Sequence, residues 1–245
     1  NFSITNMAYC NLLVICAILA QLMQILCAGP VYWINKNNLK PESMKYYDGY
    51  GFLTGSMGYG TIFQMEVNST SMMNGNPMNF SAVPFYENEN LTFSAGFALD
   101  TDRNVLFICR ADPTTFVSGL TQDPAPDNWT LGYMAGVHIV DMDTQTVIAD
   151  YDLQDYNVDN DDPMYHLCND IVIDSSGNAY VTDSFGGAIY KLTNNGATYD
   201  LSIFSYTSKW QDPGYIFFDG LSMDPLYSEF ILVNAWINTD TSMYS

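Results

Sequence analysis

From position 39 onward, apolar and polar residues alternate in short runs, and no long stretch carries the 3.6-residue period of a helix. The runs 50–55, 61–66, 105–110, 136–142, 171–174, 179–183 and 188–192 are rich in Val, Ile, Tyr and Phe. Gly, Asn, Asp and Ser separate them. Residues of the first kind suit a pleated, half-buried surface, so these runs predict strands. Asp174-Ser-Ser-Gly-Asn178 predicts a tight hairpin connection, and Asn194-Asn195-Gly196 a second turn.

The strands recur in units. Four stretches align: Glu42-Ser-Met-Lys-Tyr-Tyr, Ala95-Gly-Phe-Ala-Leu-Asp, Asn169-Asp-Ile-Val-Ile-Asp and Asp219-Gly-Leu-Ser-Met-Asp. Three of them end in Asp (Asp100, Asp174, Asp224), and each is followed by a second strand. A period of about fifty residues with several strands per unit predicts β-propeller blades. The expected fold is all-β: a propeller over 39–245, with blades beginning near 42, 95, 169 and 219. The second unit is longer because 112–132, with its Pro, Asp and Gly, reads as an inserted loop. The fourth unit has two strands before Ser245, and the chain opens on Asn rather than Met. The expectation is therefore a fragment of about three and a half blades, incomplete at both ends.

Residues 1–29 differ from the rest. Positions 12–28 are almost wholly apolar and stop at Gly29-Pro30. This predicts a leader helix, read as a signal peptide with small residues Cys27, Ala28 and Gly29 at a cleavage site. An N-terminal membrane anchor is the alternative, for which the run is slightly short. Four N-x-S/T sequons follow, at Asn68, Asn79, Asn90 and Asn128, and predict a secreted glycoprotein. Of five cysteines, Cys109 and Cys168 lie outside the leader. They are compatible with one disulfide, but their strand-like positions favour buried thiols.

Composition narrows the partners. With 7 Lys and Arg against 27 Asp and Glu, the net charge is −20. That charge repels phosphate backbones and anionic membranes, and it excludes nucleic acid as a natural partner. It suits cation binding. In a propeller the first strand of each blade lines the central channel, so equivalent positions form a ring. That ring is Glu42, Ala95, Asn169 and Asp219. Two carboxylates and an amide carbonyl suit a hard cation: Ca²⁺ first, then Mg²⁺ or Mn²⁺. No Cys/His cluster has zinc spacing.

Three motifs carry a family resemblance. They are Pro41-Glu42-Ser43 followed by Phe52-Leu-Thr-Gly-Ser56, the run from Asn169 to Asp183, and Phe218-Asp-Gly-Leu-Ser-Met-Asp224. Together they resemble the gluconolactonase/regucalcin-like family of six-bladed propellers, in its branch labelled calcium-dependent phosphotriesterase-like. The likeness spans Pro41 to about Trp236. It implies metal ligands at Glu42, Asn169 and Asp219, the residues the ring selects. It implies hydrolysis of a lactone or ester with Asp219 as base, in a protein that is monomeric at full length. One position departs from the family pattern. A substrate-contacting Asn of the second blade is Ala95 here, with Ser94 the nearest polar neighbour.

Other polar residues have plainer readings. Ser94, His166 and Asp170 are candidates for the channel mouth, His166 as a proton shuttle and Asp170 as a turn group or a support behind the ligands rather than a ligand. Asp183 ends a strand and reads as structural, within reach of the channel, and His138 reads as packed or exposed without a role. The acidic run 150–162 lacks EF-hand spacing and reads as a solvated loop. Two functions compete: a secreted metal-dependent hydrolase of a small lactone or ester, and a non-catalytic extracellular propeller that binds a protein or glycan. A strictosidine-synthase-like enzyme is a third, without a His or Glu placed to support it.

Overall fold

The structure, a computed structural model, describes residues 33–34, 36–37, 39–67, 79–111, 135–156, 166–206, 220–223 and 230–232. The leader, the inserted loop 112–132, Asn68, Asn128 and Asp219 lie outside the described residues. The chain divides into two compact units, Asn1–Asn35 with Glu66–Ser81 and Lys36–Met65 with Ala82–Ser245. In the smaller, the short strand β1 (Trp33–Ile34) pairs in parallel with Asn79 and Phe80.

The larger unit is built of antiparallel meanders. Sheet I holds β2 (Met44–Tyr47), β3 (Gly51–Thr54) and the first part of β4 (Ile62–Val67) in sequence order; the end of β4 and the start of β5 (Asn79–Tyr86) belong to the smaller unit. Sheet II holds β6 (Ser94–Asp100), β7 (Val105–Arg110), β8 (Gly136–Asp141) and β9 (Thr146–Asp152). Sheet III holds β10 (Cys168–Ile173), β11 (Ala179–Asp183), β12 (Ala188–Asn194) and β13 (Tyr199–Tyr206). Sheet IV pairs β14 (Leu221–Met223) with β15 (Phe230–Leu232). A 3-10 turn at Leu153–Tyr156 is the one helical element among the described residues.

The sheets stack face on face. Leu53 and Ile62 of sheet I pack with Phe97, Leu99, Leu106 and Ile108 of sheet II. The opposite face of sheet II, with Val105, Phe107, Val137 and Ile139, packs on Ile171, Val181, Tyr190 and Leu192 of sheet III. The far face of sheet III, with Val172, Tyr180 and Ile189, meets Leu221 of sheet IV. Alternation along each strand sends neighbouring side chains into different interfaces. That is why β7 and β11 are buried almost throughout. Each large buried side chain contributes roughly 1.5–3 kcal/mol through the surface it removes from water. The first strands adjoin, β6 against β10 and β10 against β14. This is a β-propeller-like stack.

Asp100 and Asp174, which close two of the aligned stretches, make turns, and Asp224 lies outside the described residues. Asp100 Oδ1 accepts from the backbone N–H of Asp102 and Arg103. Asp174 Oδ1 accepts from Ser176 and Asn178. A carboxylate that satisfies two turn amides fixes the connection to the next strand.

Candidate functional site

Two strands are irregular at the same place. In the β10–β11 pair Cys168 faces Asp183 and Ile171 faces Val181, three steps along one strand against two along the other. In the β6–β7 pair Ser94 faces Arg110 and Phe97 faces Ile108, with the same offset. Each is a β-bulge, which turns side chains out of the regular pleat. In sheet III the bulge falls on Asn169 and Asp170, in sheet II on Ala95 and Gly96. The alignment of Ala95 with Asn169 therefore has a structural counterpart.

The sheet III bulge opens on a cavity of about 170 Å³ lined by Glu42, Ser43, Asn169, Asp170 and Gly220. These residues sit at the starts of β2, β10 and β14. Glu42 and Asn169, far apart in sequence, thus share one cavity, and Gly220 lines it as the peptide neighbour of Asp219. Asn169 is buried, and its Nδ2 donates to Ser184 Oγ at 2.8 Å, which fixes the amide plane.

Asp170 holds several elements at once. Lys45 Nζ donates to its Oδ1 at 2.8 Å and to the carbonyl oxygen of Ile171 at 2.9 Å. Leu221 N–H donates to Asp170 Oδ2 at 3.0 Å. Ile171 N–H donates to Oδ1 at 2.8 Å, and the Asp170 N–H donates to Thr182 Oγ1 at 3.0 Å. Nearby, the Tyr47 phenol is pushed up to about 12, chiefly by burial. A hydrogen bond from Leu99 N–H opposes the shift, and the Asp170 charge adds to it.

Other expected site residues lie elsewhere. Ser94 is fully buried, and its hydroxyl accepts from Ser56 N–H at 2.8 Å. It joins β6 to the connection after β3 and does not line the cavity. His166 is buried, with Nδ1 2.5 Å from Asp183 Oδ2, and it too is absent from the lining. Asp183 Oδ1 accepts from the backbone N–H of Leu167 and Gly186. A Cβ at Gly186 would come within 2.2 Å of Asp183 Oδ2, so only glycine closes this turn. His138 is not a bystander: its Nε2 lies 2.9 Å from Tyr86 Oη and its Nδ1 2.8 Å from Asp150 Oδ2.

The expectation of free thiols is corrected. Cys109 of β7 and Cys168 of β10 form a disulfide with a Cα–Cα distance of 5.0 Å, and both are buried. Each residue points into the interface between sheets II and III. Strand alternation placed both inward, but it does not say which inward faces meet. Of the sequons, Asn90 is exposed in the turn after β5 and Asn79 opens that strand.

Sequence reasoning missed Lys45. A signal existed: on β2 it alternates with outward Met44 and Tyr46, so a lysine faces the packed side.

No protein-family model matches the chain, and no curated protein matches it. Among solved structures it is similar to the extracellular domain of a one-component system from B. thetaiotaomicron, with 11% identity and a TM-score of 0.44. That match covers 80% of this chain and 20% of the other. A protein from Lactobacillus plantarum is similar at 12% identity and a TM-score of 0.39, over 89% of this chain and 58% of the other. The chain thus spans less than two thirds of either. At these TM-scores the likeness carries no weight of its own, and the fold rests on the stacking described above.

Chemically, the cavity offers oxygen donors from separate strands. Among the described residues no group of three or more His, Cys, Asp or Glu converges as a metal cluster. A site of Glu42, Asn169 and Asp219 contains an amide and a residue outside the described set, so it is a different kind of grouping. A carboxylate and an oriented amide in one small polar cavity fit a hard cation.

Proposed function

We propose that this protein is a secreted, metal-dependent hydrolase of a small lactone or ester. Its divalent cation, Ca²⁺ first, would be held by Glu42, Asn169 and Asp219, as the resemblance to six-bladed gluconolactonase/regucalcin-like propellers implies. The observation that supports this most is the shared cavity of Glu42, Asn169 and Gly220. When bound, the cation supplies a Lewis acid for the carbonyl oxygen of the substrate. Asp219 takes a proton from the attacking water, and that proton passes to the leaving alkoxide as the acyl C–O bond breaks. Asn169, held by Ser184, keeps its amide in one orientation. The buried disulfide supports export, because such bonds persist in oxidising compartments.

The competing reading is a non-catalytic extracellular propeller in which the cation only stabilises the fold. Ala95 favours it, since the equivalent bulge in sheet II brings no polar side chain to a substrate.

Calcium titration by calorimetry on the secreted protein, wild type beside Asn169→Ala, is the first test. Binding in the wild type, lost at least tenfold in the variant, is expected. Lactone and aryl-ester turnover should then vanish on chelation and in Asp219→Ala. Binding without turnover selects the structural reading, and no binding of any divalent ion by the wild type rejects the metal site.

A further inference from the structure

We infer that Lys45 and Asp170 are a positioning pair that assembles the cation site from three separate strands; this rests on the reading of Glu42, Asn169 and Asp219 as ligands. Asp170 is the residue after Asn169. Its Oδ2 accepts from Leu221 N–H, two residues beyond Asp219. Lys45 lies three residues after Glu42, and its Nζ holds both Asp170 Oδ1 and the Ile171 carbonyl oxygen. One ion pair therefore links β2, β10 and β14, the strands on which or just before which the three proposed ligands lie.

The neighbouring sheet is shaped to admit it. A Cβ at Gly96 would come within 2.3 Å of the Asn169 carbonyl oxygen, 2.5 Å of Asp170 Cα and 2.9 Å of Asp170 Oδ1. Sheet II is thus cut back to backbone where Asp170 passes. The Lys45 ammonium also lies 5.9 Å from the centre of the Phe97 ring, which sets its stem against sheet II. The pair touches all four first strands.

Asp170 is a positioning residue and not a further ligand. Both carboxylate oxygens already accept hydrogen bonds from protein donors, two at Oδ1 and one at Oδ2. An ordinary surface ion pair contributes little. This one is three-quarters or more buried on each side, at 25% and 16% side-chain exposure, and each partner also binds backbone of another element.

Charge gives a test with a sign. Lys45→Met keeps the stem and removes a positive charge beside a cation site. Coulomb's law alone then predicts tighter Ca²⁺ binding. Positioning predicts weaker binding, by about 10- to 100-fold, the usual cost of losing an outer-shell partner. The double variant Lys45→Met/Asp170→Asn keeps the local charge balance and serves if the single variant does not fold. Calorimetric Ca²⁺ titration of the secreted full chain is read beside Tb³⁺ luminescence lifetimes in H₂O and D₂O. The expected result is weakened Ca²⁺ binding with at least one extra water on Tb³⁺, as a ligand drifts from place. Unchanged or tighter binding with an unchanged water count, in variants whose near-ultraviolet dichroism is native, overturns the pair while leaving the metal reading intact. A wild type that binds neither ion overturns both.

Discussion

Sheets II and III are nearly the same construction used twice. Each is a four-stranded meander whose first strand bulges after its opening residue, and each closes that strand with an aspartate-capped turn, at Asp100 and Asp174. They differ at the bulge. Sheet III places Asn169 and Asp170 there, and sheet II places Ala95 and Gly96. The bulge is therefore scaffold, and the dipeptide on it decides whether a sheet supplies chemistry or space. Sheet II supplies space, and it supplies an anchor: Cys109 ties its second strand to the residue before Asn169.

That anchor carries the largest expected effect. The disulfide spans a sequence separation of 59 residues. In the chain-entropy account a loop of that size stabilises by about 4 kcal/mol. Cys109→Ala with Cys168→Ala should lose most of that in denaturant unfolding, and the Ca²⁺ affinity of the folded variant should fall as β10 loosens. A loss under about 1 kcal/mol would mean that apolar contact between sheets II and III suffices without the bond.

The space left by sheet II comes next. Gly96→Ala drives a methyl into the backbone of Asn169 and Asp170, atoms that no rotamer change can move. Overpacking of this kind costs about 3 kcal/mol. Ala95→Gly, the neighbouring change on the same bulge, adds no such clash. If Gly96→Ala melts no earlier than Ala95→Gly, the close approach of β6 and β10 is wrong.

How far the sequence disclosed this follows from what each signal encodes. Strands and turns were legible because alternation and turn residues are local: β7, β10, β11 and β12 fall where the apolar runs placed them. The equivalence of Ala95 and Asn169 was legible because a repeat keeps register, and the paired bulges match it. What stayed hidden was which faces meet. Cys109 and Cys168 both read as inward, but inwardness does not name a partner. Ser94 and His166 read as channel-mouth groups because they are polar and close to the ring positions. Local spacing does not reveal that Ser56 and Asp183 already engage them. Asp170 read as a turn group or a support behind the ligands, with no partner named, for the same reason. Its role depends on Lys45 and Leu221, which only the stacking brings near.

The two sheets also differ in where their polar chains lie, and this gives the smallest effect. Sheet III keeps its network on the first strand, whereas sheet II carries one on its outer strands. There His138, Asp150 and Arg110 are linked, with Arg110 Nε donating to Asp150 Oδ1 at 2.6 Å, and Tyr86 at the end of β5 joins them through His138. Burial pushes the Asp150 carboxyl up, but hydrogen bonds and charge from His138 and Arg110 outweigh it and hold the group below its ordinary 3.8. A carboxylate depressed in the folded state adds stability above its unfolded value. That contribution is lost as pH falls through the lower folded value. Asp150→Asn should therefore destabilise at pH 7 by a few tenths to about 1 kcal/mol, since solvent screens a carboxylate that is 38% exposed. The gap between wild type and variant should start to narrow below about pH 4 and close only as pH falls through the lower folded value, where the folded wild-type carboxylate protonates. Denaturant midpoints from pH 2.5 to 7 read this directly. A gap that stays constant across that range would show that Asp150 acts through shape rather than charge, and that the polar chain of sheet II is packing like the rest of the sheet.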